Sequence, residues 1–117
     1  MLVIQAQSDL YEVRKMIHKI GFFIENEKFC MDAGKPYLVM RAVRGEEKTP
    51  YEPAEYEYGR LLPEVSDTAY RKFLLDERDK KMKLQETLNM QKTSGAGARV
   101  EELTEEITGL NWILNKF

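Results

Sequence analysis

The sequence predicts an α/β fold in which strand, helix, strand and strand are followed by a long antiparallel helical hairpin. Three observations predict it. A short β-branched run, Leu2–Ile4, precedes a segment with apolar residues at helical spacing. Two apolar runs, residues 22–31 and 36–43, are joined by a short turn that contains Gly34. The second half of the chain carries two long helical patterns.

The composition excludes several classes of protein. The 117 residues, 43% hydrophobic and 32% charged, predict a single domain or a small domain with an appendage. A net charge of −2 excludes a protein that is basic overall but permits a local basic patch. No apolar run approaches the roughly 20 residues that span a bilayer. One Cys and one His leave no usual metal cluster. We therefore expect a cytoplasmic protein without a membrane segment or a metal site.

The first half, residues 1–45, reads as a βαβ unit followed by an antiparallel strand. Ser8 is expected to cap the helix, and Gly21 is expected to end it. A sheet of this kind normally has neighbouring strands and covered faces. Three strands and one helix would leave an open edge and an uncovered face. We expect upstream chain to be missing, in preference to cover by the helical half or by partners.

The rest divides into a linker with a short helix, residues 46–65, and a helical hairpin, residues 66–117. The short helix is expected over Ala54–Tyr58, and Ser66 or Asp67 is expected to cap the first long helix, which runs to about Gln91. Lys92–Gly97 is predicted to be the loop before a last helix that begins near Ala98. The predicted seam of the hairpin pairs Val100, Leu103, Ile107, Leu110, Leu114 and Phe117 with Tyr70, Phe73, Leu74, Met82, Leu84 and Leu88.

Few residues carry recognisable chemistry. His18 lies off the apolar stripe of its helix and is predicted at the surface, whereas Cys30 is predicted to be a small core side chain. Gly95–Gly97 follows a helix and is interpreted as a loop, not a nucleotide-binding turn. Gln5 and Gln7 lie at the carboxyl end of the first strand, where open α/β sheets bind ligands. Their amides either read a base edge or are solvated.

The first hairpin helix has a positive balance. From Asp67 to Lys92 the chain has seven basic and five acidic residues, a net of +2. This segment is either a solvated face with ion pairs or a ridge that follows phosphates. The tyrosines at 51, 56 and 58 alternate with glutamates that would repel phosphate, so they are expected to pack against the sheet. The candidate RNA-binding residues are Arg71, Lys72, Arg78, Lys80, Lys81 and Lys83.

The order of these pieces resembles the C-terminal half of the bacterial tRNA (adenine(22)-N1)-methyltransferases. The matching stretches are Leu2–Gln5, Val13–Phe22, Asp32–Tyr37 and Tyr58–Leu62. The resemblance implies a class I, S-adenosylmethionine-dependent Rossmann-like methyltransferase domain with a C-terminal coiled-coil hairpin. Residues 2–5 would be the fifth strand of its sheet, and residues 22–31 and 36–43 the last two.

Departures from the family pattern limit what carries over. Gln5-Ala6-Gln7 stands where the family usually has Gln-Pro-Asn, Met16 replaces a usual Trp and Arg60 a usual Pro. The cofactor loop and the catalytic loop would lie upstream of residue 1. The resemblance therefore implies a C-terminal portion that is not catalytic alone, without a cofactor site, while S-adenosylmethionine is held by the full-length enzyme.

The implied reaction transfers a methyl group to N1 of adenine. N1 lies on the Watson–Crick edge, so the base must be unpaired or flipped out. Gln5 would help to position the base through its exocyclic amine, and the basic helix would hold tRNA. The expected partners are tRNA and either the missing N-terminal half or a second copy. The alternative is a small α+β protein-interaction module that dimerises through its helical hairpin.

Overall fold

A computed structural model describes residues 1–91 and 95–117, and it confirms the predicted α/β fold with a helical hairpin. One short helix, α3, was not among the predicted elements. The elements are β1 (Leu2–Ala6), α1 (Leu10–Lys19), β2 (Phe22–Asp32), β3 (Lys35–Arg44), α2 (Pro53–Tyr58), α3 (Leu61–Glu64), α4 (Thr68–Gln91) and α5 (Ala96–Leu114).

The three strands form one sheet in the order β1-β3-β2. β3 is antiparallel to both neighbours, with Ile4 opposite Met40 and Phe29 opposite Leu38. β1 and β2 are therefore parallel to each other, as in a βαβ unit, and β3 fills the space between them. Within the described residues, β1 pairs on one side only, so its open edge is as expected.

The two faces of the sheet differ in burial. The face that carries Leu38, Met40 and Ala42 is buried beneath the helices. On the opposite face Val3 is 65% exposed, and Gln5 and Arg41 are also exposed. The expected uncovered face is thus present in the part of the chain that the structure describes.

The connection from β1 to α1 differs from the prediction. Asp9, not Ser8, is the N-cap residue, with a left-handed φ of 55° and no side-chain capping hydrogen bond. The prediction that Ser8 caps the helix is therefore wrong, because β1 continues to Ala6 and the turn into the helix falls one residue later. Gly21, with φ +87°, follows the helix as predicted.

The hairpin begins at a capped end. The backbone N–H of Tyr70 donates to Asp67 Oδ1 at 2.8 Å, which selects Asp67 over Ser66 as the cap. α5 begins at Ala96, after Gly95 with φ +90°, so the predicted loop extended too far into the helix. Lys92–Ser94 of that loop lie outside the described residues.

The α5 side of the seam is confirmed, and the α4 side is partly wrong. Leu103 and Leu110 are fully buried, and Ile113, which was not predicted, joins them. On α4, Met82 and Leu84 are 45% and 42% exposed. They lie off the face that meets α5 because polar side chains occupy that face. All three predicted segments contribute to one core, whose members include Ile17, Leu62, Tyr70 and Leu110; the domain division stays a prediction.

Candidate nucleic-acid interface and its supporting core

The carboxyl end of β1 holds the two glutamines singled out in the sequence. Gln5 is exposed on the open face, opposite Val39 of β3. Gln7, just beyond the strand, lines a small cavity of about 50 Å³ together with Tyr37 and Phe73. Gln5 is accessible to a ligand at this edge, and its positioning role stays a prediction.

Four of the six candidate RNA-binding residues are exposed on α4. They are spread along the outer surface of the helix: Arg71, Lys72, Lys80 and Lys83. The Lys80 side chain is 75% exposed and lies 3.6 Å from Glu77 Oε1, a surface ion pair that water and salt weaken. These cations are available to a polyanion.

The other two candidates face α5. Lys81 Nζ lies 3.0 Å from Glu106 Oε2, and Arg78 donates from Nη1 to Asn111 Oδ1 at 3.0 Å. The structure therefore does not bring the six residues together on one free surface. It divides them between the outside of α4 and the inside of the hairpin.

The opposite side of the hairpin is acidic. Glu101, Glu102 and Glu105 of α5 are exposed. Glu105 also lines a cleft of about 770 Å³ with Glu57 of α2 and Lys81. Phosphate groups are repelled from such a surface. The α4 side, where Asp76, Asp79 and Glu86 are exposed among the four exposed cations, is the less acidic side of the hairpin.

A buried ion pair, not found in the sequence, joins the sheet to α2. Arg14 of α1 and Glu27 of β2 are both fully buried in their side chains, and Arg14 Nε donates to Glu27 Oε1 at 2.7 Å. Arg14 Nη1 donates to the carbonyl oxygens of Tyr56 at 2.7 Å and Glu57 at 3.0 Å. Burial raises the pKa of Glu27, and the charge and hydrogen bond of Arg14 oppose that rise.

Gly59 ends α2 directly beside this pair. Its φ of +94° is a conformation that other residues rarely adopt. A Cβ there would collide with the Glu27 carboxylate and would lie 3.0 Å from Arg14 Nη2. The absence of a side chain at Gly59 thus lets the chain pass close over the ion pair.

His18 belongs to the same junction, so the prediction that it lies at the surface is wrong. Its Nδ1 lies 2.8 Å from the Tyr56 hydroxyl, and its Nε2 lies 3.3 Å from Glu47 Oε2. Burial lowers the pKa of His18, and the nearby Glu47 acts in the opposite direction. A polar stripe at helical spacing along α1, Tyr11, Arg14 and His18, was the signal in the sequence.

Arg60, at the position where the resemblance expects proline, fastens the loop before α2. Its guanidinium pairs with both carboxylate oxygens of Glu55, at 2.7 and 3.0 Å. It also donates to the carbonyl oxygens of Thr49 at 2.8 Å and Pro50 at 2.6 Å. The same group lies 4.2 Å from the centroid of the Tyr51 ring. Residues 46–65 are thus held by specific contacts.

The remaining sequence expectations have mixed outcomes. Tyr51 is buried in the core, whereas Tyr56 packs against the rings of Tyr11 and His18 on α1 instead of the sheet. Cys30 is half-buried, since it belongs to the open face, so its expected place in the core is wrong. Among the described residues no group of three His, Cys, Asp or Glu side chains is arranged to hold a metal ion. No described helix is both long and apolar enough to cross a membrane.

The strand order, the crossover helix and the exposed edge together define part of a Rossmann-like α/β sheet that carries a helical hairpin. The sequence model of one family, tRNA (adenine(22)-N(1))-methyltransferase (TrmK), matches residues 1–111. The chain belongs to this family. Among curated proteins, none matches it with significance.

Solved structures share the fold. A protein from Listeria monocytogenes serotype 4b aligns with a TM-score of 0.87 and 16% identity, over 97% of this chain and 50% of its own. The m1A22 tRNA methyltransferase TrmK of B. subtilis gives 0.81 and 18%, over 97% and 50%. The Streptococcus pneumoniae protein in complex with S-adenosyl-L-methionine gives 0.72 and 19%, over 97% and 46%. This chain spans about half the length of the structures it matches.

Proposed function

We propose that this chain is the C-terminal portion of an S-adenosylmethionine-dependent tRNA adenine-N1 methyltransferase, and that its hairpin contributes to tRNA binding. The family match over residues 1–111 carries the proposal. The coverage of about half of each solved relative supports the view that catalysis needs a further portion. A cytoplasmic location, where tRNA would be met, is part of the same proposal.

The tRNA-binding surface is proposed to be the outer side of α4. Phosphate contacts need basic side chains free to approach the backbone, not a special geometry. Lys72, Lys80 and Lys83 meet this condition because they are exposed, whereas Lys81 is engaged with Glu106. The acidic α5 would keep RNA on the α4 side.

The cofactor is proposed to bind outside the described residues. A dinucleotide- or nucleoside-binding turn places several glycines between a strand and a helix. Of the two strand-to-helix connections described, residues 7–9 have no glycine and residues 45–52 have one, Gly45. These residues do not fit S-adenosylmethionine, so no step of the reaction is assigned to them. Calorimetric titration is expected to show no saturable binding; one-to-one binding at micromolar cofactor would contradict this.

The open edge of β1 is the proposed attachment point for this further portion. β1 has no charge, proline or bulge, the usual devices that protect an edge strand. The other edge, β2, has a bulge between Ile24 and Asn26 and carries Glu25 and Lys28. The α5 seam is buried within the hairpin, which disfavours the alternative module that dimerises through it. Self-association through β1 is the remaining competitor.

The base-positioning role is proposed for Gln5. The side-chain oxygen of a glutamine can accept a hydrogen bond from the exocyclic amine of adenine. Holding the base in place in a pocket without water is a large part of catalysing methyl transfer. Gln5 is exposed at the β1 edge where a further portion would close such a pocket. In an assembled enzyme, Gln5→Ala should lower methyl transfer without changing tRNA affinity.

Salt-dependent tRNA binding tests the RNA assignment. Replacing Lys72, Lys80 and Lys83 by Ala should weaken binding and make the slope of log affinity against log salt less steep. The slope should decrease in magnitude by roughly 2 to 3, since each lost phosphate contact removes about 0.7–0.9. The charge-matched control replaces three exposed lysines elsewhere, Lys19, Lys35 and Lys48, and should leave both values unchanged. Equal effects of the two variants would refute the proposed surface.

A further inference from the structure

The middle of α4 turns polar side chains, not apolar ones, toward α5. Besides the contacts of Arg78 and Lys81, Gln85 donates from Nε2 to Thr104 Oγ1 at 2.7 Å and to the Val100 carbonyl oxygen at 3.2 Å. The contacts progress in register along the two antiparallel helices. We call these six residues the hairpin lock: Arg78, Lys81 and Gln85 on α4, and Thr104, Glu106 and Asn111 on α5.

The apolar seam of α5 cannot by itself select one register. Leu103, Ile107 and Leu110 recur at heptad spacing, so beyond the core a shift of one heptad would cover a similar apolar surface. Tyr70 and Leu74, which belong to the core, anchor only the first turns of α4.

Thr104 and Asn111 are one heptad apart, so a slip of one heptad would place Gln85 opposite Asn111 in one direction or Arg78 opposite Thr104 in the other. In either direction the Lys81–Glu106 contact and one of the other two contacts are lost. A slip of one heptad would move Lys81 from Glu106 to a position opposite Ile113 or Arg99.

The lock contacts are a poor source of net stability. Arg78 Nε is buried without a hydrogen-bond partner among the described residues, and an unpaired buried donor is destabilising. Lys81 and Glu106 are 27% and 38% exposed, so both lose part of their water to form the pair. Polar groups at a helix interface commonly fix register at the expense of stability.

We propose that Arg78, Lys81 and Gln85 set the register of the hairpin, and thereby align the exposed cations of α4 for RNA. They are positioning residues, not phosphate ligands. The RNA part of this inference rests on the proposed function, whereas the register part stands on the contacts alone. It accounts for the apolar-poor middle of α4: those positions hold the lock.

A distance measurement between the helices tests the register. Nitroxide labels would be placed at two exposed sites, Glu86→Cys on α4 and Glu101→Cys on α5, in a Cys30→Ala background. Pulsed electron–electron double resonance should give one narrow distribution of distances between the two labels when the lock is intact. The same labels in Lys80→Met, an exposed lysine outside the lock, are the control and should give the same population.

The lock variant replaces its α4 members by apolar residues of similar size, Arg78→Met, Lys81→Met and Gln85→Leu. It should give a shifted or multiple distance distribution, with a melting temperature no lower than that of the parent. Lys81→Met alone is less disruptive, and it should give a broader distribution whose added distances match those of the triple variant. One unchanged narrow population in both variants would overturn the proposal.

The tRNA readout separates positioning from contact. Lys81→Met should lower affinity several-fold with an unchanged salt slope, whereas Lys83→Met should reduce the slope by about 0.7–0.9. An equal loss of slope in the two variants would make Lys81 a phosphate ligand and overturn the assignment. If the parent chain does not bind tRNA, the proposed function fails, while the distance measurement still decides the register proposal.

Discussion

Removing Arg14 should be among the most damaging single changes in this chain. Arg14→Met keeps much of the side-chain volume but leaves the Glu27 carboxylate buried without its partner, and the Tyr56 and Glu57 carbonyls without their donor. Breaking a buried ion pair from one side costs about 3–5 kcal/mol. With a urea m-value of roughly 1–3 kcal/mol per molar, the unfolding midpoint should fall by at least about 1 M.

The stability of Arg14→Met should also depend on pH in a direction that the structure predicts. Burial raises the pKa of Glu27 above its ordinary value of 4.5, and loss of Arg14 removes the two effects that oppose the rise. The folded variant therefore holds a proton that the unfolded chain releases, so its stability should increase as the pH falls toward 4.5. Urea unfolding of Arg14→Met at several pH values should show its deficit shrinking in acid.

An exposed arginine is the matched control. Arg41 pairs with Glu25 at 2.7 Å, but the two side chains are 49% and 40% exposed. Arg41→Met should change the free energy of unfolding by less than about 1 kcal/mol, because exposed pairs contribute little. If Arg14→Met and Arg41→Met cost the same, or if acid does not rescue Arg14→Met, the account of the buried pair is wrong.

Three further predictions concern the same junction and the hairpin. Gly59→Ala should lower the melting temperature, because the residue has a positive φ and an added Cβ would collide with Glu27. Gly97→Ala lies in a helix with open space around an added Cβ, and it should raise stability by roughly 0.5–1 kcal/mol. Calorimetry checks both. Because the pKa of His18 is lowered from 6.5, stability should fall as the pH drops through and below that value, and His18→Gln should flatten this loss in acid unfolding curves. Arg60→Met should free the loop before α2 and speed its cleavage by protease; an unchanged cleavage rate would show that the loop is held by other contacts.

Local signals were sufficient for much of the fold. Gly21 ends its helix through its own backbone freedom, which the sequence shows directly. The sequence also indicated a capping side chain at Ser66 or Asp67, between which the structure selects Asp67. The seam of α5 was readable because Leu103 and Leu110 recur at the spacing of one helix face. The open edge of β1 followed from counting strands.

Long-range contacts were beyond the sequence. Arg14 and Glu27 are charged residues that composition assigns to the surface, and only the packing of α1 on β2 brings them together. On α4, Lys81 and Met82 are adjacent, and the sequence favours the methionine as the buried one. The partner Glu106, across the hairpin, reverses that choice.

The family resemblance indicated the substrate base and the methyl donor, which the residues alone could not indicate. No pattern in the chain identifies an adenine or a methyl donor. The strand position of Gln5 indicated a ligand-binding edge, and only the family's motif related that edge to a methylated base. The division of the α4 cations into free and engaged groups came from the structure, because helical spacing alone does not say which face meets α5.

The outer side of α4 is the proposed tRNA-binding surface. Lysine acetylation followed by mass spectrometry, with and without saturating tRNA, measures this residue by residue. We expect strong protection of Lys72, Lys80 and Lys83, with little change at Lys19 and Lys35. Protection spread evenly over all exposed lysines, or confined to those outside α4, would contradict it.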